Sequence, residues 1–281
     1  KNIFCITRKD IQARGYDMDP TKLTVNVTRT GLSGHEIEDI LAREYKVQVD
    51  AADLFNLIAI MGIGSEKSDV DRLVDALADF HAVDYQAVGL GDLGEPDGFI
   101  ERQIEGWYGR WHKAKTADVA AMDAVYAWLK ANLPPASAHS LVHNDYKLDN
   151  VMLDRADPGK VVAIFDWDMC TLGDPLNDLG ALLCYWSEPT DPPYFQAMAM
   201  MPTGDKGFLT RQELVERYAE KSGRSISNIR FYHALGLYRL TVIIAQIYIR
   251  YHRGQTQDQR FAAFGPMIPL MAQAALEITT R

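Results

Sequence analysis

Short alternating stretches give way to long helical ones along this chain. Residues 23–28 alternate apolar and polar positions as a strand does, GLSG at 31–34 is a turn, and residues 36–45 carry apolar side chains at helical spacing. Residues 47–49 and 55–61 are further strand candidates, the second also readable as a helix end. With the stretch closing at GIGS, residues 1–64 make a small α/β segment. A helix then runs over 65–84, capped by Ser65 or Ser68, with Val70, Leu73, Val74, Leu77 and Phe80 on one face. Helices follow at 99–115 and 119–131, stopped by Pro134 and Pro135. Three short strands, 140–143, 150–153 and 161–165, interrupt the helical run, and DPGK at 157–160 turns between the last two. Helical spacing resumes at 177–185, 211–222, 229–252 and 259–276, with SEPTDPP at 187–193 as a loop. The pattern predicts an α+β chain in two parts, 1–64 and a mainly helical 65–281.

Composition narrows the partners. Thirty-eight acidic against 29 basic residues leave a formal charge of −9, and no long Lys/Arg run is present, so no nucleic-acid footprint is expected. A small polyanion needs only local positive groups. Cys5, Cys170 and Cys184 are too few for a disulfide framework and include no CxxC pair, which predicts a reduced, cytoplasmic setting. The start lacks the pattern of a secretory signal, and no uninterrupted apolar stretch reaches the roughly 20 residues of a membrane span. The segment 237–249, broken by Arg239, Thr241 and Gln246, reads as a packed helix.

The chemistry concentrates in LVHNDYKLDNVMLD (141–154) and VVAIFDWDMCTLGDPLNDLG (161–180). Asp145 and Asn150 flank a short loop, and Asp166 ends an apolar strand. That spacing lets three oxygen-bearing side chains converge from adjacent strand ends, as phosphoryl transfer requires: one group to position a hydroxyl, and hard oxygens to hold magnesium. His81, His112, His139, His143, His233 and His252 lack the paired spacing of zinc motifs.

From about Ala78 onward the chain resembles the aminoglycoside-phosphotransferase-like family, which includes choline-kinase-like members, within the protein-kinase-like fold. The resemblance rests on HxDxxxxN (His143, Asp145, Asn150), on Asp166 as the first acid of DWD, and on GDPLNDLG at 173–180. It is nearest to the subgroup also found fused to acyl-CoA dehydrogenase-like domains. The resemblance implies a mainly helical C-terminal lobe, ATP and Mg2+ as cofactors, and a small hydroxylated acceptor, either a hydroxylated acyl compound or an aminoglycoside-like molecule. It further implies that Asp145 orients the hydroxyl and takes its proton, and that Asn150 and Asp166 hold nucleotide-bound magnesium. Lys147 either meets the transferred phosphate or faces solvent. His143 is either a general base or, as the family suggests, an anchor of the loop. Asp168 touches the metal indirectly or accepts backbone donors, and Asp178 ties the next helix to the loop. Trp167 packs in the core or stacks on substrate. Arg102, Trp107, Arg110 and Trp111 form either an acceptor pocket with affinity for acidic groups or a packing face. Tyr238, Arg239, Tyr248, Arg250, Tyr251 and Arg253 pose the same choice on the late helix.

Upstream the pattern breaks. No glycine-rich nucleotide loop or ordered strand lysine is recognisable in the first 65 residues. Residues 19–64 instead resemble part of the pyridoxal-phosphate-dependent ornithine, lysine and arginine decarboxylases, without their SxHK-like attachment motif. The chain therefore reads as a composite. Three functions compete: a small-molecule kinase, a catalytically incomplete metabolite- or partner-binding protein, and a fragment of a decarboxylase.

Overall fold

The computed structural model describes residues 4–6, 23–26, 51–52, 56–59, 67–153, 161–197, 201–205 and 207–280. The chain divides into two compact units, residues 1–64 and 65–281. In the first, β1 (Phe4–Ile6), β2 (Leu23–Asn26), β3 (Ala51–Ala52) and β4 (Asn56–Ala59) form an antiparallel sheet in the order β1-β2-β4-β3. Residues 23–28 and 55–61, expected as strands, contain β2 and β4. The turn at 31–34, the helix at 36–45, the strand at 47–49 and the turn at 157–160 lie outside the described residues.

The second unit is predominantly helical, so the protein is a mixed α+β fold. Its helices are α1 (Lys67–His81), α2 (Phe99–Ala114), α3 (Ala120–Ala131), α4 (Leu176–Tyr185), α5 (Pro193–Ala197), α6 (Arg211–Ser222), α7 (Ile229–His252) and α8 (Phe264–Thr280). The sharpest boundaries have local causes. Thr210 and Glu213 close a reciprocal capping box at the start of α6, and Gly223 ends it in the left-handed region at φ 68°. The loop before α6 is clamped to it: the Arg211 guanidinium donates to both Asp191 oxygens at 2.7 Å. The SEPTDPP segment is thus a pinned loop.

Helix α7 is the spine of the unit. It packs on α4 through glycines: a Cβ at Gly180 would lie 2.4 Å from the Tyr232 carbonyl oxygen, and one at Gly236 would lie 2.5 Å from Cys184 Sγ. That approach brings the end of α4, and with it Tyr185, against the middle of α7. Around it, Trp111, Trp186, Tyr146, Tyr218, Tyr232 and Tyr238 are the largest fully buried side chains. Each buried Leu or Ile of this core contributes on the order of 1.5–3 kcal/mol. Residues 259–280, a 3-10 turn continuing into α8, reach the length and apolarity of a membrane-crossing helix. Gln273 and Glu277 interrupt the apolar pattern there, so the sequence shows no unbroken run of that length. Here Ile268, Met271, Ala272 and Ala275 are buried, with α8 packed on α7 and α3.

Two two-stranded ladders sit among the helices. β5 (Ser140–Val142) pairs with β8 (Thr171–Gly173), and β6 (Val151–Leu153) pairs with β7 (Val161–Ile164), both antiparallel. Strand β8 has no alternating signature of its own. It exists because Leu172 comes opposite Leu141. The two ladders carry the loop 143–150 and the turn 166–169 into neighbouring positions.

Candidate active site

The loop after β5 is held from beneath by one carboxylate. Asp178, fully buried at the start of α4, accepts the backbone N–H of His143 through Oδ2 and that of Asn144 through Oδ1, each at 2.6 Å. Its Oδ2 also accepts from His81 Nε2 at 3.1 Å, and His81 Nδ1 pairs with the Tyr218 hydroxyl at 2.8 Å. A buried carboxylate needs such donors to offset lost hydration. Asn144 takes φ 65°, a conformation that Asn tolerates better than most residues. Its amide donates to Met169 O and accepts from Asn177, both at 2.8 Å. Tyr146 fixes the next turn by donating to Leu73 O in α1 at 2.8 Å.

His143 has both ring nitrogens engaged. Nε2 lies 2.6 Å from the Phe165 carbonyl, which can only accept, and Nδ1 accepts the Asp145 N–H at 3.2 Å. The tautomer follows from those partners, and no ring nitrogen is left to face a substrate. The geometry is that of an anchor joining loop to strand end, not of a general base.

Asp145 is half-buried. Its Oδ2 accepts from Lys147 Nζ at 2.7 Å and from Asn150 Nδ2 at 3.0 Å, and Oδ1 accepts from the Tyr185 hydroxyl at 3.3 Å. Asn150 Nδ2 also donates to the Asp145 carbonyl at 2.7 Å. The solvent-facing alternative for Lys147 is overturned: its side chain is 18% exposed, and its ammonium also lies 5.1 Å from the Tyr185 ring centroid. Tyr185 carries no motif and was not anticipated. Burial, and after it the Asp145 charge, raises its hydroxyl above the ordinary range, so it stays a donor.

The second ladder delivers Asp166 beside this loop. Val151 pairs with Ile164, and Phe165 N donates to Asn150 O at 2.7 Å, so Asn150 and the Phe165–Asp166 pair lie at the same ladder end. Asp166 adopts φ 61° and is exposed, as is Asp168 on the 3-10 turn Trp167–Met169. Among the described residues neither carboxylate has a hydrogen-bond donor. No group of three His, Cys, Asp or Glu side chains with metal-cage geometry occurs among the described residues. Trp167 is a correction: it is 43% exposed instead of packed in the core. Its ring lies at the edge of the site between Phe80 and His143, at centroid distances of 5.3 and 4.9 Å, and its indole N–H donates to Ile164 O.

The four residues offered as an acceptor pocket do not form one. Trp111 is 1% exposed in the core, and Arg102 donates to the carbonyls of Asp97 and Glu95, securing the loop before α2. Trp107 is buried, with the Arg110 guanidinium 4.5 Å and that of Arg239 5.4 Å from its ring. Arg239 is the residue of the late-helix group that reaches the site region, touching Met169 Sδ at 3.6 Å. It lines a small cleft of about 10 Å³ with Ala181, Cys184, Tyr185, Gly236, Leu240 and Ile243. Burial pushes the Cys184 thiol well above its ordinary range, leaving it a small apolar wall element. Asp174 is a further residue that spacing did not single out. It is buried and accepts from Ser137 N at 2.7 Å, from Leu176 N at 3.0 Å and from the Tyr232 hydroxyl at 2.8 Å.

Known proteins resemble parts of this chain. The profile of the phosphotransferase enzyme family matches residues 65–209, beginning where the second unit begins. Mouse acyl-CoA dehydrogenase family member 10 is 29% identical over 206 residues, 73% of this chain but 19% of that protein, so the chain spans about a fifth of this relative's length. Arginine decarboxylase of Bacillus subtilis is 35% identical over 80 residues, 28% of this chain and 16% of the relative. The resemblance to two unrelated families is therefore present in the comparisons as well. A solved structure of a candidate aminoglycoside phosphotransferase from Ralstonia eutropha JMP134 superposes with a TM-score of 0.69 at 25% identity, covering 92% of this chain and 86% of the other. With the profile spanning the HxDxxxxN loop, the strand-end aspartate and the buried GDPLND turn, the chain belongs to the phosphotransferase enzyme family.

Proposed function

We propose that this chain transfers the terminal phosphate of ATP, with magnesium, to a hydroxyl of a small molecule. One observation carries the reading: Asn150 bonds Asp145 through its amide and Phe165 through its carbonyl, joining an acid suited to a hydroxyl with an acid suited to a metal. Asp145 is the group that orients the acceptor hydroxyl and takes its proton as the O–P bond forms. Lys147, already on Asp145, is within a side-chain rotation of meeting the transferred phosphate. His143 and Asp178 keep the loop in register, so that reacting atoms are aligned before the step.

The residues present fit magnesium by donor chemistry. Asn150 and Asp166 offer hard oxygens, and two protein oxygens suit an ion that completes its shell with phosphates and water. Bound there, magnesium would neutralise charge on the phosphate chain during transfer. Asp166 would be the principal ligand, with Asp168 behind it. The sparse cysteines fit a cytoplasmic setting.

The lack of a recognisable glycine-rich nucleotide loop in the first 65 residues of the sequence favours a second reading, a metabolite- or partner-binding protein without turnover. Transfer of label from γ-labelled ATP to hydroxy acids, their coenzyme A thioesters and aminoglycosides, with and without magnesium, separates the two. Magnesium-dependent product supports the kinase. An intact chain that binds an acceptor but no magnesium nucleotide sinks it.

A further inference from the structure

Met169 is 43% exposed, the one exposed methionine among the described residues. Met152 and Met267 are half-buried, and Met122, Met201 and Met271 are buried. Met169 ends the 3-10 turn Trp167–Met169, which Asp166 precedes, and it joins that turn to two other elements. Its carbonyl accepts from Asn144 Nδ2 at 2.8 Å, on the loop 143–150. Its sulfur accepts from Arg239 Nη2 at 3.6 Å, on the middle of α7.

The two partners in that second contact are unequal. A thioether is a weak acceptor, whereas a guanidinium carries five N–H donors. Arg239 is 7% exposed, and among the described residues no carboxylate pairs with it. Beyond the sulfur it meets the Trp107 ring at 5.4 Å. A buried cation without an oxygen acceptor is costly. Oxidation of Met169 would supply that acceptor where the sulfur already lies. An oxygen carried on the sulfur, bent away from the S···N line, fits the 3.6 Å separation with an N···O distance of about 2.9 Å. A sulfoxide disrupts an apolar core because it is polar. Here it would meet a charged donor on one side and solvent on the other.

We propose that Met169 is a site of reversible oxidation, and that its sulfoxide is held by Arg239 and ties the turn after Asp166 to α7. The oxidant is a peroxide. A sulfur lone pair attacks one peroxide oxygen, the O–O bond breaks, and the second oxygen leaves as hydroxide. It takes the proton of the transferred oxygen and becomes water. Sulfur loses two electrons and the peroxide gains them. A charge-assisted bond to the new oxygen then replaces a weak bond to sulfur. The site and its partner stand independently of phosphoryl transfer, and the consequence at Asp166 alone rests on the kinase reading.

The test treats the intact chain with graded hydrogen peroxide and locates the added oxygen by fragment mass spectrometry, which separates Met169 from the adjacent Cys170. Met169 should be oxidised at least about fivefold faster than Met152 or Met267, because susceptibility follows exposure. Urea unfolding of the reduced and oxidised protein reads the bond to Arg239. Oxidation should shift the folding equilibrium toward the native state by about tenfold or more, as one charge-assisted hydrogen bond does. Treatment with methionine sulfoxide reductases A and B should reverse the shift. The gain should vanish in Met169→Leu and in Arg239→Leu, and survive in part in Arg239→Lys. Met169 oxidised no faster than Met152, a gain that persists in Arg239→Leu, or a wild type destabilised by oxidation would overturn the inference. Where Arg239→Leu does not fold, the comparison of wild type with Met169→Leu decides, since a sulfoxide without a partner brings no gain. Titration with magnesium ADP before and after oxidation separates the two claims. A tied turn restrains Asp166, so the affinity should change by about threefold or more. Stabilisation by oxidation without any magnesium-dependent nucleotide binding upholds this inference while the kinase reading fails. Magnesium-dependent binding in a protein that gains no stability on oxidation does the reverse.

Discussion

The loop 143–150 and the turn 166–169 lie at neighbouring strand ends, yet they are built in opposite ways. In the loop, His143, Asn144, Asp145 and Asn150 each have hydrogen-bond donors or acceptors within the fold, and three of the four are buried. In the turn, the Asp166 and Asp168 carboxylates are exposed and have no donor among the described residues. Both segments contain a non-glycine residue at positive φ, 65° at Asn144 and 61° at Asp166, a conformation costing on the order of 1–3 kcal/mol unless its surroundings hold it. Asn144 is held by its own side chain. Among the described residues, Asp166 is held through its neighbours: Phe165 accepts from His143, and Ile164 accepts from Trp167. The difference teaches that a family motif can mix two kinds of residue. Some side chains spend their hydrogen-bonding capacity on geometry, and others keep it for ligands.

The largest expected effect tests the first kind at its reactive member. Asp145→Asn should lower kcat by about 10²–10⁴, the range typical of losing general-base assistance, while leaving magnesium-nucleotide affinity within about twofold. Turnover and equilibrium nucleotide binding measured on the same preparation check this, and near-normal turnover would remove Asp145 from its role. Next comes the pin beneath the loop. Asp178→Ala strips the acceptor from two backbone N–H groups and from His81, each orphaned donor costing about 1–3 kcal/mol. Urea unfolding should show a loss of several kcal/mol. A loss below about 1 kcal/mol would mean that the loop is not held as described.

How much of this was legible depended on chain distance. Helix α6 could be read to the residue because its cap, Thr210 with Glu213, and its stop, Gly223, are local. The HxDxxxxN loop could be read for the same reason. Tyr185, Asp174, His81 and Tyr218 could not, since they meet their partners only after α4, α6 and α1 pack; His81 and Asp178 are 97 positions apart. Strand β8 was hidden likewise, being paired with a segment some thirty residues earlier. Trp167 was misassigned because an aromatic beside an apolar strand resembles core, whereas the positive φ at Asp166 swings the chain out to the edge. Arginines 102 and 110 share α2 with Trp107 and Trp111, but helical neighbours need not face one cavity, and Arg102 turns back to its own N-terminal loop.

The exposed turn gives the next smaller effect. Asp166→Asn should weaken magnesium-supported nucleotide binding by about 10–100-fold, the equivalent of one charged contact worth about 1.5–3 kcal/mol. Asp168→Asn should change it less than about threefold. Asparagine is chosen because it tolerates the left-handed backbone of Asp166, so the charge is removed without added strain. Magnesium titrations of nucleotide binding rank the two variants. An equal effect would mean that the two acids act together, and the reverse order would exchange their roles.

The smallest effect concerns the residue that couples the loop to the cleft. Tyr185→Phe removes a hydroxyl that donates to Asp145 Oδ1 across 3.3 Å, near the long end of useful hydrogen bonds. Lys147 and Asn150 still hold the other oxygen, so Asp145 keeps its orientation. A net bond of about 0.5 kcal/mol corresponds to a loss of roughly twofold in kcat. The pH dependence separates this positioning role from a proton-transfer role. Burial and the Asp145 charge favour the neutral phenol, so the Tyr185 hydroxyl titrates above its ordinary value near 10 and remains a donor below it. The wild-type and Tyr185→Phe profiles should therefore be parallel from pH 6 to 9, displaced by the same small factor throughout. A limb of the wild-type profile in that window that disappears in the variant would make Tyr185 a participant in proton transfer instead of a support for Asp145.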